Sequence, residues 1–219
     1  MANEDSFINE VSEEVRRDKL YKLMRKYGWI AIAAVVLTVG GAAFFEWQKA
    51  TARTAAQAKG DALVAALAED TAEARASALR EVPVNDTPGG GAVLALLQAA
   101  GAVEADDTDA ALASLETLAN DAEAPALYRD LAILKSVIIG AGVTPPEERI
   151  SKLSAIQQPG NPYRLLALEQ RAYAEVEQGN SAAAIETLTG ILADAEVTED
   201  LRRRATQLIV ALGGVLDQS

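Results

Sequence analysis

The chain contains no cysteine and no histidine. A disulfide framework, a thiolate or imidazole zinc site, and Ser/His/Asp or Cys/His catalysis are therefore closed to its own residues. Aromatic residues make up only 5% of the sequence. Valine and isoleucine do not gather into alternating runs bounded by turn residues, so little is present from which to build strands. The missing thiols do not fix a compartment, since free cysteine is a liability outside the cell and optional inside it. What is abundant is alanine and leucine, and half of the 219 residues are apolar. That is enough for one ordinary domain with a real core plus an appendage, and the expected class is all-α.

Charge divides the chain unevenly. Residues 1–49 carry seven basic and seven acidic side chains, whereas residues 50–219 carry 13 basic and 25 acidic ones. The whole excess of the net charge of -12 lies in the second part. Phosphate backbones and anionic lipid surfaces repel such a domain, which argues against nucleic-acid binding and favours basic or apolar partners.

Between these parts lies KYGWIAIAAVVLTVGGAAFFEW (Lys26 to Trp47), whose middle, Gly28 to Phe45, is 18 residues without a charge. As a helix, Tyr27 to Trp47 would span about 31 Å, against about 30 Å for a bilayer hydrocarbon core. Ile30, Ile32, Val35, Val36, Leu37, Val39, Phe44 and Phe45 make insertion favourable by roughly 2 to 5 kcal/mol on the insertion scale. Tyr27 and Trp29 at one end, and Phe44, Phe45 and Trp47 at the other, match the headgroup preference of amphipathic rings. VRRDKLYKLMRKY upstream holds six basic residues against Asp18, while Glu46 to Arg53 holds only Lys49 and Arg53 against Glu46. The positive-inside rule then places the N-terminus in the cytoplasm and the C-terminal domain outside. A cleaved signal peptide, with Ala50-Thr51-Ala52 as its cut, is the rival reading. The apolar run is long for that, and the cut lies several residues beyond it. A buried core helix is the third reading, and it leaves the two aromatic girdles unexplained. Ala34, Thr38 and Ala42 form a small-residue row that could pair helices in a membrane, a pattern that alanine-rich spans also produce by chance.

Phe7, Ile8, Val11, Val15, Leu20, Leu23, Met24 and Tyr27 recur at helix-like intervals. Two readings stay open: an amphipathic helix along the cytoplasmic face, or a partly ordered tail whose cations set topology and touch headgroups. The expected organisation is a basic cytoplasmic segment (1–27), a signal-anchor helix (28–46), a helical neck and loop (47–89) and a helical repeat domain (90–219).

EVPVNDTPGGG (Glu81 to Gly91) reads as a hinge or loop. It is not a phosphate cradle, for no Lys-Ser/Thr pair follows and no clear strand precedes. Helices are expected over about 90–104, 109–120, 125–140, 145–157, 161–178, 181–195 and 198–213. Asp106, Asp107 and Asp109 read as an N-cap turn, since the glycine and closing glutamate of a calcium loop are missing. Thr144-Pro145-Pro146-Glu147 reads as a capping box, Asn161-Pro162 as cap and first helical residue, and Gly213-Gly214 as a stop.

AEVEQGNSAAAIETLTGIL (Ala174 to Leu192) superposes on AVEADDTDAALASLETLA (Ala102 to Ala119). Ala184 falls on Ala111, Ile185 on Leu112, Leu188 on Leu115 and Ile191 on Leu118, an offset of 73 residues. Small-large-x-x-large-x-x-large after a tight polar turn is the second-helix half of a tetratricopeptide repeat, whose period is about 34. The Trp, Leu-Gly and Tyr positions of a good first helix are missing, and so is the closing proline. Helical hairpins of either kind bury their apolar faces only against neighbours, so an α-solenoid is expected.

With YRDLAILKSVI (Tyr128 to Ile138), GNPYRLLALEQRAYAEVEQGN (Gly160 to Asn180) and the basic segment, span and outer repeats in view, the chain resembles a family of membrane-anchored tetratricopeptide-like proteins. That family includes the ancillary subunit of the SecYEG translocon of envelope-bearing bacteria. The resemblance implies a bacterial inner-membrane protein facing the periplasm and associating with translocon subunits and periplasmic chaperones, with client chains as further partners. With the histidine- and cysteine-dependent chemistries excluded and no acid in a distinctive setting, no enzyme activity and no cofactor are expected. A structural scaffold for envelope or cell-division complexes shares the same architecture and is the alternative function. An envelope enzyme using Glu175 and Glu177 is disfavoured, because residues two apart on a helix point different ways. Glu169, Tyr173 and Glu177 stand at four-residue steps on one helix, and with Tyr163 they are the candidate partner surface. The competing reading packs the tyrosines between repeats and leaves the glutamates solvated.

Overall fold

A computed structural model describes residues 4–83 and 88–215, with side chains from Tyr21 onward except Lys22, Leu23, Ala31 and Pro88. Among the described residues there is no strand: nine α-helices and one 3-10 turn account for the regular structure. The class expected from composition is the observed one. The chain divides into two units, Met1–Ala58 and Lys59–Ser219.

Helix α1 (Glu4–Leu67) begins in the first unit. Within it lies a segment long and apolar enough to cross a membrane, and none of its most apolar window is buried against the rest of the protein. Trp29, Leu37, Phe45 and Trp47 are exposed, as is every large apolar side chain described between Trp29 and Trp47. The hydroxyl of Thr38 donates to the Ala34 carbonyl at 2.6 Å, which satisfies the segment's one side-chain hydroxyl. That is what an apolar environment requires. Helix continues N-terminally to Glu4; the side chains of Phe7, Ile8, Val11, Val15, Leu20 and Leu23 lie outside the described residues, while Met24 and Tyr27 are exposed.

The second unit holds the last turns of α1 and then α2 (Ala72–Glu81), α3 (Pro88–Glu104), α4 (Thr108–Ala119), α5 (Ala126–Ile139), α6 (Pro146–Leu153), α7 (Arg164–Glu177), α8 (Ser181–Leu192) and α9 (Glu199–Ala211). From α2 on, each helix packs on the next, and α3 also meets α5, as α5 meets α7. The core is therefore a row of small apolar clusters. Ala66, Leu79, Val82 and Leu94 form the first; Ala99, Leu115, Leu118 and Ala132 lie in the second. Leu134, Val137, Leu153 and Ile156 lie in the third, and Ala172, Leu188, Ile191 and Ile209 in the fourth.

Local expectations fail at three places. Gly89, Gly90 and Gly91 belong to the first turns of α3, not to a loop, because α3 packs on α2 and α4 and that tertiary burial outweighs glycine's poor helix propensity. Thr144 makes no capping bond: Pro145 is the N-cap of α6, and the Thr144 carbonyl instead accepts from Arg149 Nε at 3.2 Å. Asn161-Pro162 does not open α7. Asn161 closes a local turn, its Oδ1 accepting the Tyr163 N–H at 2.9 Å, and the helix starts at Arg164. Gly213-Gly214 does end α9, with Gly213 at φ 82° and the Gly214 N–H donating to the Ile209 carbonyl at 2.9 Å.

The 73-residue offset holds in three dimensions. At the α7–α8 turn Gly179 has φ 76°, the Asn180 N–H reaches the Glu175 carbonyl at 2.9 Å, and the Asn180 side chain caps α8. At the α3–α4 turn Asp106 has φ 58°, the Asp107 N–H reaches the Ala102 carbonyl at 2.8 Å, and the Asp107 side chain caps α4. The aspartate cluster is thus a capping turn, as expected. Ala111, Leu115 and Leu118 are buried, and so are Ala184, Leu188 and Ile191. The match extends beyond the turn. Leu94, Ala99 and Ala102 are buried, as are Ala167, Ala172 and Glu175; Val93, Ala100 and Glu104 are exposed, as are Leu166, Tyr173 and Glu177.

Candidate interaction surfaces of the helical array

Helix α7 and the residue before it carry the four positions singled out in the sequence, and the structure gives them different surroundings. Glu169 is buried, and its carboxylate accepts two hydrogen bonds from Arg204 of α9, at 2.6 and 2.9 Å. This bidentate pair joins two helices, and it raises the Arg204 pKa by hydrogen bonding to Glu169 first and by its charge second. Glu177, at the exposed end of α7, pairs with the fully buried Arg149 of α6. Tyr163 is half-buried against the cluster containing Leu134 and Ile156. Burial raises its phenol pKa, with the nearby Asp130 carboxylate adding to the effect. Tyr173 is exposed on the same stripe as Glu169 and Glu177; burial of part of its ring, then the Glu169 charge, raises its pKa.

The four-residue stripe is real as helix geometry, but its two glutamates are engaged within the chain. Glu175, paired with Glu177 in the enzyme reading, is buried, accepting from Arg171 Nε at 2.8 Å and from the Thr187 hydroxyl at 2.9 Å. Among the described residues no group of acidic side chains is arranged to hold a metal ion.

Sequence reasoning missed the arginines that organise these contacts. Arg149 reaches back to a loop carbonyl and forward to Glu177, 28 residues away. Arg75 of α2 repeats the arrangement, donating to the Glu69 carbonyl at 3.0 Å and to Glu104, 29 residues away, at 3.0 Å. The near-equal spacing is a signal that a search for arginine–glutamate recurrence could have found. Arg164 bridges Asp194 at 2.8 Å and Glu196 at 3.0 Å. Its guanidinium, followed by the Glu196 backbone N–H, holds the Asp194 carboxyl below its ordinary value.

Uncovered apolar surface is distributed unequally. From α3 to α9, the large exposed apolar side chains on helices are Val93 and Val103 on α3, Leu127 and Ile138 on α5, Leu166 and Tyr173 on α7, and Val210 on α9. Among the described residues none lies on α4, α6 or α8. The large exposed apolar side chains therefore fall on alternate helices, and the helices between them present Glu116, Glu147, Glu148 and Glu186 to solvent.

Among the described residues these observations define an all-helical protein with one exposed apolar segment long enough to cross a membrane and a second unit of helices packed in sequence. No family model matches the chain, and no match appears among the curated proteins or the solved structures compared.

Proposed function

We propose that the chain is a single-pass, membrane-tethered protein-interaction module whose second unit is a tetratricopeptide-like array. It acts in the periplasm beside the Sec translocon and its chaperones in protein export. The observation that carries the reading is the coexistence of a wholly uncovered apolar segment in α1 with an acidic array whose exposed large apolar side chains fall on alternate helices. The first suits lipid, and the second offers apolar contact points to a protein partner. The recurrence of one hairpin geometry at 73 residues, close to two tetratricopeptide periods, supports the repeat assignment.

The basic residues before the segment orient it with the N-terminus in the cytoplasm. Because no native cysteine interferes, Ser181→Cys reports the side directly. An impermeant thiol reagent should label it once the outer barrier is opened, and labelling only after inner-membrane lysis would reverse the topology. Partner identity is tested by in-cell cross-linking. Removing residues 59–219 should abolish adducts with translocon or chaperone subunits, and undiminished adducts would refute the assignment.

A further inference from the structure

Helix α1 runs unbroken from Glu4 into and through the apolar segment, so the register of the residues before the segment is fixed relative to it. At about 3.6 residues per turn, Lys19, Arg25 and Lys26 stand within about 60° of Lys22 around the helix axis. Leu20, Met24 and Tyr27 stand about 140 to 160° away from it. Four of the six cations in the basic segment therefore share one side of the helix, and an apolar stripe takes the other. Asp18 stands on the cationic side and offsets one of the four. The helix itself gains nothing from this arrangement: Lys22 follows Lys19 by three residues and precedes Lys26 by four, spacings at which like charges repel. Nor does membrane orientation require it, since the positive-inside rule counts cations without regard to the side they occupy.

Depth adds a second constraint. With Tyr27 at the hydrocarbon boundary, the helical rise puts Lys26, Arg25 and Lys22 roughly 1.5, 3 and 7.5 Å beyond it, and Lys19 roughly 12 Å. A headgroup layer of about 5 to 7 Å takes in Arg25 and Lys26 and reaches Lys22. Long cationic side chains bridge such differences of depth. Arg25 and Lys26 are exposed, and the Lys26 ammonium lies 5.5 Å from the centre of the Tyr27 ring, a cation–π contact at the boundary itself. Before the basic segment the charge reverses. Glu4, Asp5, Glu10, Glu13 and Glu14 have no base among them, and an anionic surface repels such a stretch. At the far end of the apolar segment Glu46 stands one turn before Lys49, and only Arg53 follows. The cationic side is therefore confined to one end and to headgroup depth.

We propose that the side of α1 bearing Lys19, Lys22, Arg25 and Lys26 is a binding surface for anionic phospholipids. Their phosphodiester groups seat among the cations, and their acyl chains lie along the uncovered apolar segment beside Trp29. Charge and depth together select this occupant: the cations stand where phosphates stand, and a lipid supplies both the anion and the hydrocarbon that the adjoining segment takes. A second copy of the chain would bring the same four cations to the face, where opposed like charges disfavour docking. Free phosphate would meet the cations and leave the apolar segment uncovered. The surface thus prefers anionic to zwitterionic lipid at one end of the segment only. This inference rests on the membrane reading of α1 and needs no partner protein, so it can fail while the interaction-module reading stands.

The test places the full chain in phosphatidylcholine nanodiscs and reads tryptophan quenching by phospholipids brominated in their acyl chains. Trp29 and Trp47 are the two tryptophans of the chain, so Trp47→Phe isolates the end beside the cations and Trp29→Phe the other. At equal mole fraction, brominated phosphatidylglycerol should quench Trp29 as though enriched about threefold over brominated phosphatidylcholine, and Trp47 should respond equally to both. Lys22→Gln with Arg25→Gln should remove the enrichment. Arg16→Gln with Arg17→Gln takes the same charge from outside this side of the helix and should leave it. Equal quenching of Trp29 by the two lipids would overturn the proposal. So would an equal loss in the two double variants, which marks a diffuse effect of net charge. Weak quenching of Trp29 by both lipids, with Trp47 fully quenched, would show a second copy on the face and overturn it as well. If neither lipid quenches either tryptophan, the membrane reading falls and this proposal with it.

Discussion

The hairpins α3–α4 and α7–α8 share a turn, a set of buried positions and a period, yet they are held together by different chemistry. The second is stitched by charge: Glu169 to Arg204, Glu175 to Arg171 and Thr187, and Arg164 to Asp194 and Glu196. At the matching places the first has Leu96 and Leu131 for the Glu169–Arg204 pair, Ala102 for Glu175, and Gly91 for Arg164. The backbone geometry is therefore specified by the small-large pattern and the turn, which both hairpins keep. The ion pairs are one of several ways to fill the remaining positions.

The largest expected effect breaks the comparison at the α7–α9 contact. Arg204→Leu leaves the buried Glu169 carboxylate without its partner and should destabilise the domain by about 1 to 3 kcal/mol in chemical unfolding. Adding Glu169→Leu gives this contact the two leucines that stand at positions 96 and 131 in the first hairpin. The double variant should recover most of the loss, since a buried pair is replaceable by apolar packing at little cost. If it is as unstable as Arg204→Leu alone, the two hairpins are not interchangeable at this position.

A smaller effect is expected at the turns. Gly179 has φ 76°, where a Cβ is strained, so Gly179→Ala should cost about 1 kcal/mol. Asp106 already holds φ 58° with a side chain, and Asp106→Gly should relieve part of that strain and gain up to about 1 kcal/mol. Thermal unfolding of the two variants should move in opposite directions.

The smallest effect is a pH dependence. The folded pKa of Asp194 is lowered by Arg164 first and by the Glu196 backbone N–H second. Its contribution is fully present above the unfolded carboxylate value of about 3.9 and is lost as pH falls through the lower folded value. Asp194→Asn should therefore narrow the gap in Tm between neutral pH and pH near 3. An unchanged gap would mean that the Arg164 clamp adds no stability.

Much of this was legible in the residues. The apolar segment of α1 is a matter of local composition, and the structure leaves it uncovered as a membrane segment requires. Seven helices from α3 to α9 follow from periodicity. Helix α2, by contrast, was not set apart: its sequence is short and polar, and it is helical because Ala76 and Leu79 are buried, with Leu79 packed beside Leu94 of α3. Gly89 to Gly91 failed for the related reason that packing outweighed propensity. Among the candidate surface residues, the four-residue stripe of Glu169, Tyr173 and Glu177 was legible as helix geometry. That two of them would be spoken for by Arg204 and Arg149 was not, since those arginines lie 35 and 28 residues away in the chain.

The sequence by itself determined the helical class, the acidic second unit, the membrane-length segment and the 73-residue recurrence, because each rests on composition or on spacing along the chain. Only the tertiary structure decided which charges are paired, which apolar side chains stay uncovered, and that the turns at Asp121 and Asp194 share one geometry. Those outcomes depend on which helix faces meet, and that is settled when neighbouring hairpins stack rather than by any short run of residues.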